Sequence, residues 1–331
     1  MTGTVDLTAF DPSRERAEAV SARMQGRLAD SLLHIIDQAD GIVPFPRAEF
    51  SAFVSRLATG PVSPSVFGAY CDLVLALDAD SLDEAQTLFR EIADAQNVAW
   101  GPLIRELADP DQDPDSNRYR RFADGDPDMP LIIQPPPADL AQNARRLLSE
   151  AFALIDAGNP ELSGEVRVLL REIVLAVGSE NIKGLRFDGI SAFMLWGGVV
   201  LNVGGYKTAL DMVQALAHES GHNLLFGLCA HGPLHENDDR ERYPSPLRPD
   251  ERPMDGIVHA TYVTARMHQA VQRLLMRGAL SQTQIPQAEQ ANTENAKWFA
   301  SGMQTIDRHA RLTPLGREVM GRAQDYMREY T

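Results

Sequence analysis

Two histidines and a glutamate stand at fixed spacing in His218-Glu219-Ser220-Gly221-His222, inside the stretch TALDMVQALAHESGHNLLFGLCAHG that begins at Thr208. On a helix, residues four apart differ by about 40° around the axis, so both imidazoles face one side. Each can give one nitrogen to a single ion at about 2.0–2.1 Å. Glu219 lies about 100° round from His218. That takes it out of line as a third ligand but leaves it able to touch an outer ligand or a metal-bound water. H-E-x-x-H on a helix is a metal-centre pattern, and in hydrolysis its glutamate is the general base.

Two imidazoles leave an ion under-coordinated, so a third protein ligand is expected. The other histidines are His34, His231, His235, His259, His268 and His309. His34 and His309 fall in helical segments far along the chain. His231 and His235 follow the metal helix in CAHGPLHENDD, whose polarity reads as a solvated loop. His259 and His268 share a helix but sit nine residues apart, about 180° in rotation, so they cannot serve one site. His259 is the favoured third ligand, with Tyr262 and Val263 on its face. Glu236 and Asp255 compete, though Asp255 is better employed as an N-cap.

The elements that must position these residues follow from periodicity and punctuation. Thr208 and Asp211 form a T-x-x-D capping box, so a helix is expected from there to about Gly227. A polar, proline-rich loop, HENDDRERYPSPLRPDERP, comes next. A second helix is expected from Asp255 to Gly278, a good residue for ending one. Before the motif, IKGLRFDG and SAFMLWGGVVLNV are β-branched, aromatic and bounded by glycines, and read as strands. Further upstream, helical spacing marks RLADSLLHIIDQAD, SVFGAYCDLVLALDA, SLDEAQTLFREIADAQ, ADLAQNARRLLSEAFALIDAG and GEVRVLLREIVLAVG. The end of the chain, from SQTQIPQAEQ on, is also helical and amphipathic. Residues 108–137, rich in Pro, Gly and Asp, interrupt the pattern. The expected fold is α+β, mostly α: a helical region over 1–137, then a zincin-like metal domain over 138–331. Its order is short sheet, H-E-x-x-H helix, loop and second ligand helix.

Composition bounds the partners. The 331 residues are 44% hydrophobic and 23% charged, ordinary for a globular protein. A net charge of −15 argues against nucleic acid or an anionic membrane surface. Two cysteines, Cys71 and Cys229, exclude a disulfide framework and suit a reducing cytoplasm. The first residues carry no secretory signal pattern, and no apolar run is long enough to span a bilayer.

The loop with the upstream motif, RYPSPLRPDERPMDGIVHATYVTARM, resembles the HExxH-type α-ketoglutarate-dependent peptide β-hydroxylases. That bacterial family carries H-E-x-x-H, then P-W-R-P-D-P-R-P, then a helix opening G-L-L. The matching residues are Pro246, Arg248, Pro249, Asp250, Arg252, Pro253 and Gly256; Leu247 stands for the usual tryptophan and Glu251 for a proline. The likeness covers roughly residues 186–270. It implies Fe(II), α-ketoglutarate and O2 as cofactor and co-substrates, and a ribosomally made precursor peptide as substrate. Arg248 or Arg252 would bind the distal carboxylate of α-ketoglutarate, a task suited to the planar guanidinium; the bland alternative is ion pairing with Asp250 and Glu251. Glu219 would then orient ligands or substrate instead of activating water.

Trp196 and Asn202, in the strand before the motif, and Tyr262 are candidate substrate contacts, through an extended peptide added to a strand edge. Trp196 also reads as core. The N-terminal helices are candidates for a leader-peptide contact or a homodimer interface. Two alternatives remain open: a zinc metallopeptidase with Glu219 as base, and a peptide-binding scaffold with a degenerate site.

Overall fold

The computed structural model describes residues 5–39, 41–123, 132–178, 187–230, 232–247 and 250–330. The chain is mostly helical with a small mixed sheet, as the α+β expectation requires. Four helices come first: α1 (Arg14–Ala39), α2 (Arg47–Arg56), α3 (Pro64–Asp78) and α4 (Leu82–Asp94). Then follow β1 (Leu103–Glu106), α5 (Pro114–Ala123), β2 (Ile133–Gln134), α6 (Ala138–Gly158), α7 (Pro160–Leu169) and β3 (Glu172–Gly178). β4 (Gly189–Ile190), a single 3-10 turn (Phe193–Leu195) and β5 (Gly198–Asn202) lead into α8 (Ala209–Cys229). The last helices are α9 (Met254–Met276), α10 (Ile285–His309) and α11 (Pro314–Met327).

Contacts divide the chain into two compact units, each built from separated segments and not from 1–137 and 138–331. One comprises Met1–Ala19, Asn143–Val166 and Tyr206–Thr331; the other comprises Val20–Gln142 and Arg167–Gly205. The second unit holds the sheet, in the order β1-β3-β5-β4, with β2 also on β3. β1, β3 and β5 run parallel, while β2 and β4 are antiparallel to their neighbours.

Three expectations need correction here. GEVRVLLREIVLAVG is not one helix: α7 ends at Leu169 and β3 begins at Glu172. Glu172 to Ala176 are all buried, so the strand lacks the alternation that would mark it. Residues 108–137 are not all loop, because they contain α5 and β2, and β1 lies just before them. Finally, SAFMLWGGVVLNV forms a strand only over β5, and β5 is bonded on both sides, by β3 and by β4. A paired strand offers no edge to a peptide.

The first unit is built around α8, α9 and α10. Thr208 Oγ1 accepts from the Asp211 amide (3.1 Å) and Asp211 accepts from the Thr208 amide (2.9 Å), the reciprocal cap expected from T-x-x-D. Gln287 of α10 donates to both side chains. Small residues let the helices approach: a Cβ on Gly221 would meet Val263 Cγ1 at 3.0 Å, and one on Gly302 would meet Thr261 Oγ1 at 2.1 Å. Beneath α9, Arg266 and Arg16 both pair with Glu165, and all three are essentially sealed from solvent. Glu165 also accepts from the Ser13 amide (3.0 Å), and Arg266 donates to the Phe10 carbonyl (2.7 Å). Burial alone would raise the Glu165 carboxyl; the two guanidiniums outweigh it and hold the group below the usual carboxylate range.

Removing that one anion leaves two buried guanidiniums uncompensated. Glu165→Gln is expected to destabilise the protein by about 3–5 kcal/mol, read from urea denaturation midpoints.

Candidate metal centre

α8 and α9 bring His218, His222 and His259 together. His218 Nε2 and His222 Nε2 face each other at 3.1 Å. Two donors on one ion subtend about 3 Å, so this pair has the spacing that H-E-x-x-H demands. Each ring is held from behind by α9. His222 Nδ1 lies 3.0 Å from His259 Nδ1, and His218 Nδ1 lies 3.3 Å from Met267 Sδ. Phe226, one turn after His222, packs on His259 with ring centroids 5.1 Å apart. The Ser-Gly inside the motif is on the buried side: Ser220 is fully enclosed, and Gly221 lets α9 come close enough for these contacts.

His259 therefore meets His222 on the ring edge opposite the one that faces His218. An ion takes one nitrogen from each imidazole, so in this arrangement His259 steadies His222 and does not join the Nε2 pair on a shared ion. Among the described residues, no group of three or more His, Cys, Asp or Glu is arranged to hold a metal. His259, the expected third ligand, thus arrives at the site on the Nδ1 edge of His222 and not at the Nε2 pair.

The row of groups is Met267, His218, His222, His259 and then Asp255, whose Oδ1 is 3.7 Å from His259 Nε2. A thioether and a carboxylate accept but do not donate, and a neutral imidazole carries one N–H. Three protons must serve four gaps. A cation in one gap lets the three N–H groups serve the other three, and the His218–His222 Nε2 pair is the gap that the four-residue spacing of the motif builds. The facing pair thus supplies two of the donors a metal ion needs.

Burial keeps the rings neutral. It lowers the His218 pKa to about 4, with His259 adding to the effect. It also lowers that of His222 well below the ordinary value, helped by His218 and His259. For His259, burial lowers the pKa and outweighs the opposing pull of Asp255. Glu219 is buried with Oε1 3.9 Å from His218 Nε2, so one carboxylate stands near the facing nitrogens. The Cys229 thiol is pushed up to about 12 by burial and then by Asp255, which keeps it protonated.

Two residues left outside the centre by sequence belong beside it. His235 is buried, bridges in backbone to Leu312, and sets its Nε2 3.9 Å from Asp255 Oδ1. Asp255 is not the N-cap of α9; Pro253 occupies that position, and Asp255 lies in the first turn. Its spacing of four from His259 was the available signal.

The remaining candidates lie elsewhere. Arg252 pairs with Asp250 (3.2 Å), and its backbone exchanges two 2.9 Å hydrogen bonds with Tyr243, closing the proline-rich loop. Arg248 and His231 lie outside the described residues. Trp196 is 2% exposed and packs edge-on to Phe67 in the sheet-bearing unit, the core position that its sequence also suggested. Tyr262, also 2% exposed, packs edge-on to Phe10 and is likewise enclosed. Asn202 has both side-chain polar atoms engaged, donating to the Phe187 carbonyl (2.9 Å) and accepting from the Gly204 amide (3.2 Å). It closes the turn after β5. His268 bonds Tyr326 (2.9 Å), apart from the histidine row.

Histidines held neutral make the metal-free protein acid-sensitive. The folded His218 and His268 titrate at about 4, against 6.5 when unperturbed. Between those values the unfolded chain binds more protons, so stability falls as pH drops from 6.5 towards 4 and is level above 6.5. Urea titrations across that range should show the fall, and His218→Ala should make it shallower. No protein-family model matches the chain, and a search of curated proteins gives no match.

Proposed function

We propose that the chain is a metal-dependent oxygenase, an Fe(II)- and α-ketoglutarate-dependent β-hydroxylase of a ribosomally made precursor peptide, with its ion at His218 and His222. The observation that carries a metal role is the facing Nε2 pair, each ring secured through its other nitrogen. The choice of chemistry rests on the resemblance of the loop through Arg252 and Gly256. A zincin-like arrangement, in which strands precede the metal helix and a second helix follows, is part of the same proposal.

When bound, a redox-active ion with open positions would supply oxygen activation and a seat for the keto acid. The protein's own groups have separate tasks. His259 and Met267 hold the two ligand rings in register. Glu219 orients what approaches the pair from the Nε2 side. Arg252 already binds a carboxylate, that of Asp250, so taking the distal carboxylate of α-ketoglutarate exchanges one acid for another of the same geometry. In the overall reaction one oxygen atom enters a C–H bond as hydroxyl. The other ends in succinate as the keto acid loses carbon dioxide.

One observation favours a second reading, a zinc peptidase: the buried Glu219 carboxylate is 3.9 Å from His218 Nε2, where a general base would stand. Protein purified without oxygen and loaded with ferrous or zinc ion separates the two. With iron, α-ketoglutarate, oxygen and the peptide encoded beside its gene, the peptide should gain the mass of one oxygen atom and succinate should form. His222→Ala should abolish both. Zinc-dependent cleavage that ignores the keto acid would establish the peptidase instead, and no change with either metal would sink both readings.

A further inference from the structure

Asp255 stands one helical turn before His259, with Oδ1 3.7 Å from His259 Nε2, and His235 Nε2 approaches the same oxygen at 3.9 Å. The carboxylate is therefore flanked by two imidazole nitrogens. His235 Nδ1 accepts from the Asn237 amide (3.2 Å), so the proton of a neutral His235 is on Nε2, facing Asp255. At 3.7 Å the same carboxylate is an ion-pair neighbour of His259 Nε2 without a direct hydrogen bond, and its negative charge favours the His259 proton on that nitrogen. A neutral His259 then has its lone pair at Nδ1, 3.0 Å from His222 Nδ1. For that contact to be a hydrogen bond, His222 must carry its proton on Nδ1. Its Nε2 is left with a bare lone pair, directed at His218.

We propose that Asp255 is a positioning residue that sets the tautomers of His259 and then of His222, so that His222 presents an unprotonated Nε2 to the ion. This rests on the reading of the His218–His222 pair as a metal site. Met267 completes the logic at the other end. Its sulfur accepts, which favours the His218 proton on Nδ1 once an ion occupies the space between the rings. Carboxylate–histidine pairs behind a metal ligand fix ring orientation and raise basicity. Here the carboxylate acts through one additional imidazole.

The bland alternative is that Asp255 merely complements the positive end of α9, as an acid in any first turn does. Such a role would not reach the tautomer of a ring on α8. The test uses the full chain with 15N-labelled histidine, free of metal, and reads the protonated nitrogen of each ring by NMR. Wild-type protein should show Nε2–H on His259 and Nδ1–H on His222. Asp255→Asn, whose amide can donate as well as accept, should lose that preference. Its zinc affinity, measured by chelator competition, should weaken by about 10- to 100-fold. Asp255→Glu should recover most of it. Asp255 is mostly exposed (62% of its side chain), so both variants are expected to fold, which the amide spectrum checks. Unchanged tautomers and unchanged zinc affinity in Asp255→Asn overturn the proposal. Wild-type protein that retains neither zinc nor ferrous ion overturns the metal reading itself, a result the tautomer measurement cannot mimic.

Discussion

α9 is held in place by two features, and the histidine row depends on that grip. Gly221, inside the motif, removes the side chain that would collide with Val263. Arg266, whose stem also lies beside Gly221, is drawn down to Glu165, which also anchors Arg16. A buried carboxylate shared by two guanidiniums is costly to desolvate but costlier to break, so it fixes position more than it adds stability. Arg266 is seven residues from His259, two turns along the same helix. Anchoring one presents the other.

With α9 so fixed, it supplies a backing group to each imidazole of α8: Met267 to His218 and His259 to His222. Antiparallel packing of the two helices explains the crossed order, the later residue of α9 meeting the earlier one of α8. The row ends on acceptors, and burial opposes a fourth proton. A row one proton short can take a cation in one gap, and the two facing Nε2 atoms of His218 and His222 are such a gap.

The loop from α8 to α9 is not slack. Asn237 bonds the Tyr243 hydroxyl and the His309 carbonyl, and accepts from the Arg311 amide. His235 and Leu234 pair in backbone with Leu312 and Thr313. These bonds tie the loop to the α10–α11 connection. They deliver His235 to Asp255 as a buried group, although the residues that follow it, Glu236 to Asp239, are polar.

Local signals were enough for much of this. The capping box at Thr208, the period of α6 and α9, and the four-residue spacing of His218 and His222 are properties of short segments, readable without any partner. So was the arrival of His259 near the pair, given one helix after another. Other features answer to partners far along the chain. β3 is enclosed on both faces, so its residues show no alternation and blend into the helix before them. Tyr262 looks like a surface-capable aromatic until its neighbour Phe10 packs on it. Above all, sequence names the histidines but not their nitrogens. Which edge of a ring faces which neighbour is set by where α9 lies relative to α8. Glycine contact and a buried ion triad decide that, because a side chain's direction depends on the packing of the helices that carry it.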